Sequence, residues 1–158
     1  MRFSYWCACV VLAAIAASLL NVPQTSAGET IRREVESQRS FDETVEQLKW
    51  AIGGHGLTIV TTMNYQEILK KLKVESSPSL VFEVMSRPWA RTMLQIDAAA
   101  GLHVPLRIYV FERQDGKTFV AYYQPSALFE TEPGSDLNAF AQQLDQTLEE
   151  IVRAAARR

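Results

Sequence analysis

The strongest constraint on this chain is a dipeptide, Asp115-Gly116. It separates two runs rich in β-branched and aromatic residues, VPLRIYVFERQ and KTFVAYYQP. Asp-Gly in that setting predicts a β-hairpin, because glycine readily takes the left-handed conformation that a tight turn needs. With Asp115-Gly116 as a two-residue loop, Tyr109 falls opposite Tyr122, Ile108 opposite Tyr123 and Arg107 opposite Gln124. Side chains alternate along a strand, so the hairpin acquires two surfaces. One carries Leu106, Ile108, Val110, Phe119, Ala121 and Tyr123, apolar enough to receive helices. The other carries Arg107, Tyr109, Phe111, Arg113, Val120, Tyr122 and Gln124, a mixture of aromatics and arginines suited to a partner or ligand.

The rest of the chain must complete a sheet around this hairpin. Its 158 residues suffice for one domain and hardly for two. A hydrophobic fraction of 47% against 22% charged residues is the balance of a globular protein with a buried core. The formal net charge of −2 gives no bulk attraction to nucleic acid.

Residues 1–27 carry the three parts of a secretory signal: Arg2, an apolar run from Cys7 to Leu20, and the small residues of Thr25-Ser26-Ala27. Cleavage after Ala27 is expected, with a periplasmic or secreted destination. The rival reading is a membrane anchor, but the apolar run is shorter than the ~20 residues a spanning helix needs. No basic stop-transfer cluster follows it. A lipoprotein is disfavoured by the residues around Cys9. Cleavage removes Cys7 and Cys9, the only cysteines, so the remaining domain has no disulfide and must be held by its core. After cleavage no membrane segment is expected.

Residues 28–38 read as an edge strand or a disordered lead-in, with the globular domain over 39–158. Ser40 and Glu43 form a capping box, and Phe41, Val45, Leu48 and Ile52 share one face of the helix it starts. Gly53-Gly54 ends that helix, and Leu57 to Met63 is a strand. Asn64 caps a short helix with Tyr65, Ile68, Leu69 and Leu72 on its buried side. Ser79 to Met85 is the next strand. Pro88 starts a helix running to Ile96, which Asp97 to Gly101 either extends or follows as a loop. After the hairpin, Ser126 to Gly134 is a loop. Ser135 or Asp136 then caps a last helix with the stripe Leu137, Phe140, Ala141, Leu144, Leu148, Ile151 and Val152. The order β-α-β-α-β-α-β-β-α predicts an α+β fold, with helices packed on one face of a mainly antiparallel sheet. Such a sheet can leave its other face open.

In sequence order, SFDETVEQLKWAI, GLTIV and the hairpin segment together resemble the DUF302 family, a domain family without an assigned activity. Val104-Pro105-Leu106, Asp115-Gly116-Lys117 and Tyr122 to Pro125 occupy the places of that family's tail pattern. Ser86-Arg87-Pro88 departs from its usual Gly-Asn-Pro, keeping only the proline. The resemblance covers about residues 39–126. It implies a small α+β fold that tends to self-associate, and it implies no activity.

No catalytic motif accompanies these elements. His55 and His103 are the only histidines and have no third ligand at metal-site spacing, so they read as turn histidines and no metal or cofactor is expected. The glycines around His55 lack the Lys-Ser/Thr ending of a phosphate loop. Glu83 is unusual for a mid-strand position. On an enclosed face it would suit general acid–base chemistry. On an open face it would meet water or pair with Arg107 or Arg87. Two functions remain. One is a non-enzymatic binding or interaction module acting as a homodimer through the aromatic face. The other is a small enzyme or ligand carrier with a pocket around Glu83 and Arg107, holding a small amphipathic ligand. The candidate binding residues are Glu83, Arg87, Arg107, Tyr109, Phe111 and Tyr122, and convergence of Glu83, Arg87, Arg107 and Tyr122 in one pocket would favour the second function.

Overall fold

The computed structural model describes residues 31–129 and 135–157. The expected signal segment and the Pro133-Gly134 turn lie outside the described residues. The elements are β1 (Arg32–Glu36), α1 (Phe41–Gly54), β2 (Thr58–Asn64), α2 (Tyr65–Lys71), β3 (Ser79–Met85) and α3 (Arg87–Ile96). A 3-10 turn (Ala98–His103), β4 (Leu106–Glu112), β5 (Thr118–Tyr123), α4 (Pro125–Leu128) and α5 (Asp136–Ala156) follow. The fold is α+β, in the expected order apart from the added 3-10 turn and the short helix α4.

The five strands form one sheet in the order β1-β5-β4-β3-β2, and every pairing is antiparallel. β1 is therefore an edge strand, the first of the two readings of residues 28–38. Local chemistry explains where the helices start. Ser40 accepts a hydrogen bond from the Glu43 amide while the Glu43 carboxylate accepts one from the Ser40 amide, so both halves of the capping box are present. Ser135 caps α5 by accepting from the Asn138 amide. α1 ends at Gly54, on its glycine pair as expected. The left-handed residue is Gly56, at φ 71°, and the His55 ring bonds the Ala51 carbonyl at 2.8 Å.

α1 and α5 pack together on one face of the sheet. Val45, Leu48 and Ile52 of α1 are buried there, as are Leu137, Ala141, Leu144, Leu148, Ile151 and Val152 of α5. They meet Phe82 and Val84 of β3, Leu106, Ile108 and Val110 of β4, and Val120 and Tyr122 of β5. Each large side chain in this set contributes about 1.5–3 kcal/mol of hydrophobic stabilisation before entropy is counted. The expected apolar stripes of both helices are thus the core.

Two expectations fail. The hairpin loop has three residues, Gln114 to Gly116. The Gly116 amide bonds the Arg113 carbonyl at 2.9 Å, and the Arg113 amide bonds the Lys117 carbonyl at 2.9 Å. Gly116 sits at φ 77°, and the Asp115 carboxylate accepts from the Lys117 amide at 3.1 Å. This is a tight turn closed by a left-handed glycine, the alternative three-residue form of an Asp-Gly hairpin. It shifts the pairing by one residue. Ile108 now faces Tyr122, Tyr109 faces Ala121 and Phe111 faces Phe119. A one-residue slip turns every side chain of a strand over. Val120 and Tyr122 consequently lie under the helices, while Phe119, Ala121 and Tyr123 lie on the other face.

The second failure is α2. None of its residues is buried, and Tyr65, Ile68 and the capping residue Leu72 are exposed. The helix has only seven residues and sits beside the sheet face opposite α1 and α5. Tyr65 leans edge-on against Tyr109, with ring centres 6.3 Å apart. No second layer covers it among the described residues.

Candidate functional site

The open face, opposite α1 and α5, is built from three rows of side chains that the register places side by side, and within it Val81, Phe119 and Ala121 are buried by their neighbours. The central row runs Glu34, Ala121, Tyr109, Val81 and Met63 across all five strands. Beside it, Glu36, Phe119, Phe111 and Ser79 form a second row. Tyr109 and Phe111 stack with ring centres 4.9 Å apart, and Phe111 stacks on Phe119 at 5.7 Å. The Arg113 guanidinium lies 3.9 Å from the Phe119 ring centre, a favourable cation–π position, and pairs with Glu34. Lys117 pairs with Glu36 at 2.9 Å. One side of the face is therefore charged, along β1. The other is apolar, where Met63 and the exposed residues of α2 continue the aromatic row through the Tyr65–Tyr109 contact.

The third row contains Glu83. Its cross-strand neighbour is Arg107, whose Nε donates to Oε1 at 3.2 Å, so the arginine expected beside Glu83 is Arg107 and not Arg87. The Glu83 side chain is 20% exposed and that of Arg107 71%. Both line a cavity of about 380 Å³ at the end of the sheet. The 3-10 turn supplies Leu102 and His103, and its connection to β4 supplies Val104 and Pro105. β5 supplies Tyr123, and α4 supplies Leu128. The Val104–Pro105 peptide is cis. The His103 ring stacks on Phe129 with centres 5.0 Å apart.

The other candidates do not join this cavity. Arg87 starts α3 and opens onto a hollow lined by Gly56, Val60 and Pro88. Tyr122, expected on the open face, is 6% exposed and faces α5. The phenol of Tyr122 borders a hollow shared with Arg33, Gln124, Asp145 and Glu149. Burial raises its pKa first, and the Glu149 and Asp145 carboxylates raise it further. Tyr109 and Phe111 stand on the open face as expected. His55 and His103 line no common cavity: the first caps α1 and lies 3.4 Å from Glu150, the second packs on Phe129. Among the described residues no group of three or more His, Cys, Asp or Glu is arranged to hold a metal.

Sequence reasoning missed His103, Leu102 and Tyr123 as neighbours of Glu83. Tyr123 was hidden by the inverted face of β5. The one usable signal was Leu102, an apolar residue between Gly101 and His103 with no helical or strand period to absorb it.

A profile of the family described as "Domain of unknown function DUF302" matches residues 33–155. The chain belongs to the DUF302 family. The match includes β1 and α5, beyond the motif-bearing segment 39–126. The chain is also similar to a crystal structure titled as an uncharacterized conserved DUF302 protein from Bacillus stearothermophilus, with a TM-score of 0.74 and 19% identity. That similarity covers 80% of this chain and 99% of the other, and at such identity it speaks for the fold alone. No curated relative matches. No described helix is long and apolar enough to cross a membrane. Family membership assigns no activity, so the site itself must carry any functional reading.

Proposed function

We propose that this DUF302 domain is an exported, non-enzymatic interaction module that works as a homodimer through the sheet face opposite α1 and α5. The observation that carries the reading is a run of exposed apolar side chains, Tyr65 and Ile68 on α2, Leu72 at its end and Met63 beside it, which continues into the half-buried Tyr109 and Phe111. A contiguous patch of this kind is rarely left in water. Tyrosines and arginines are the residues that most often supply interface energy, and a two-fold copy is the commonest partner. The charged edge along β1 then forms a polar rim beside an apolar centre.

Light scattering tests the contact. The wild-type chain should have twice the monomer mass, and Tyr109→Glu, which places a carboxylate in the centre, should be a folded monomer. A monomeric wild type, or a dimeric Tyr109→Glu, would overturn the reading. Export rests on Arg2, the apolar run and Thr25-Ser26-Ala27. Intact mass of exported protein should show residues 1–27 removed, and a mass that retains them would contradict cleavage.

A second reading, a ligand carrier or small enzyme, draws on one specific observation: Glu83 and Arg107 line the same cavity with His103 and Tyr123. It stands second because Arg87 and Tyr122 lie elsewhere. A small molecule retained by the purified protein in native mass spectrometry would favour it.

A further inference from the structure

The geometry points to a ligand class for the Glu83–Arg107 cavity: we propose that it binds a small organic monocarboxylate with an apolar body. The inference rests on the second, ligand-carrier reading and names what is carried. Glu83 takes the hydrogen bond of the Arg107 Nε at 3.2 Å. No other group among the described residues takes a hydrogen bond from that guanidinium. Its two terminal nitrogens therefore remain for a ligand, in the planar fork that matches a carboxylate. The exposure of the pair sets the sign. Arg107 is 71% exposed and Glu83 only 20%, so the cation stands forward and the carboxylate stands behind it as a support. A dianion such as phosphate would meet one cation with a carboxylate next to it, which disfavours it against a single negative charge.

The rest of the lining asks for an apolar body. Leu102 is 88% exposed at the cavity rim, a position where its side chain gains nothing from the fold. Leu128 lies in the same wall. The rings of Tyr123 and His103 add flat surface, and His103 is held in place by its stack on Phe129. A volume of about 380 Å³ lies at the small end of the range for ligand pockets, which confines the ligand to short chains or a single ring. A fork for one carboxylate beside this apolar wall defines a short amphiphile with an acidic head.

Calorimetric titration of the full-length protein with octanoate, octanol and octylammonium tests this. Octanoate should bind, octylammonium should not, and octanol should bind at least tenfold more weakly than octanoate. Arg107→Gln should weaken octanoate at least tenfold and leave octanol unchanged. Arg107→Lys should restore part of the loss, since it keeps the charge without the fork. Leu102→Asp, at an exposed position that cannot threaten folding, should weaken both ligands. Octanol binding as tightly as octanoate, with no change in Arg107→Gln, would overturn the carboxylate while leaving a ligand site. Binding of none of the three would overturn the inference and the carrier reading together. Loss of self-association in Tyr109→Glu with octanoate binding intact would show that the two surfaces act separately, in support of a site complete within one chain.

Discussion

Two helices of this domain carry apolar residues at the same spacing and meet opposite fates. In α5, Leu137, Leu144, Leu148, Ile151 and Val152 all vanish into the core. In α2, Tyr65, Ile68 and Leu72 remain 40%, 43% and 68% exposed. The difference lies in what each helix can reach. α5 has 21 residues, long enough to cross the sheet and lie against α1. α2 has seven, and it is held at the sheet end by other means: the Asn64 side chain accepts from the Glu67 amide at 3.0 Å, and Gln66 Nε2 donates to the Ser76 carbonyl at 3.2 Å. A helix of that length is unstable alone and needs such ties. An apolar stripe thus names a face that a partner would cover. It does not state whether the partner is the same chain.

The contrast can be broken by substitutions of graded effect. The largest is expected in α5. Leu144→Ala opens a cavity in a filled core and should cost about 2–5 kcal/mol, seen as a lower midpoint in urea unfolding. An unchanged midpoint would mean that α5 does not carry the core. Next is the turn that decides which side β5 shows to the helices. Gly116→Ala places a side chain at φ 77° and should cost about 1–2 kcal/mol by the same measurement. In α2, Leu72→Ser should change monomer stability by less than about 0.5 kcal/mol, as for other exposed positions. Its effect should appear in association, as a weaker dimer at equal protein concentration in sedimentation. The smallest effect concerns Tyr122, the residue that the turn moved beneath the helices. Its folded pKa lies above the usual tyrosine value of about 10. Neutral phenol is therefore favoured in the folded state. That stability is complete below about pH 10 and is lost as pH rises through the higher folded value. Tyr122→Phe should flatten the decline in melting temperature above about pH 10. An identical decline in both proteins would place Tyr122 in an environment like that of the unfolded chain.

These residues also show what the sequence could reveal. Ser79–Met85 is a strand with the expected ends, the Ser40–Glu43 box forms as written, and the α5 stripe is buried apart from the half-buried Phe140. Each of these depends on chemistry within a few residues. The faces of β5 depended on whether Asp115-Gly116 formed a loop of two residues or three. Both forms use a left-handed glycine, and only the register of the whole sheet distinguishes them. Glu83 was legible as unusual, and its pairing with Arg107 followed from two strand positions. The remainder of its cavity was not legible. Leu102, His103 and Tyr123 come from a 3-10 turn and an inverted strand, and they meet only once the sheet is assembled. The direction of α2 was hidden for the same reason: its spacing named a face, while the layer that covers a face is a property of the whole fold.

Side-chain reactivity reads the central contrast within one molecule. Trp50 stands 76% exposed on the helix side, in a hollow with Glu46, Lys49 and the glycines that end α1. Met63 and Tyr65 stand 38% and 40% exposed on the open side. Hydroxyl-radical oxidation of wild type and Tyr109→Glu, followed by peptide mass spectrometry, compares these positions directly. If a second copy covers the open face, Met63 and Tyr65 will be protected in wild type and oxidised several-fold faster in Tyr109→Glu, with Trp50 equally reactive in both. Equal oxidation of Met63 and Tyr65 in the two proteins would contradict it.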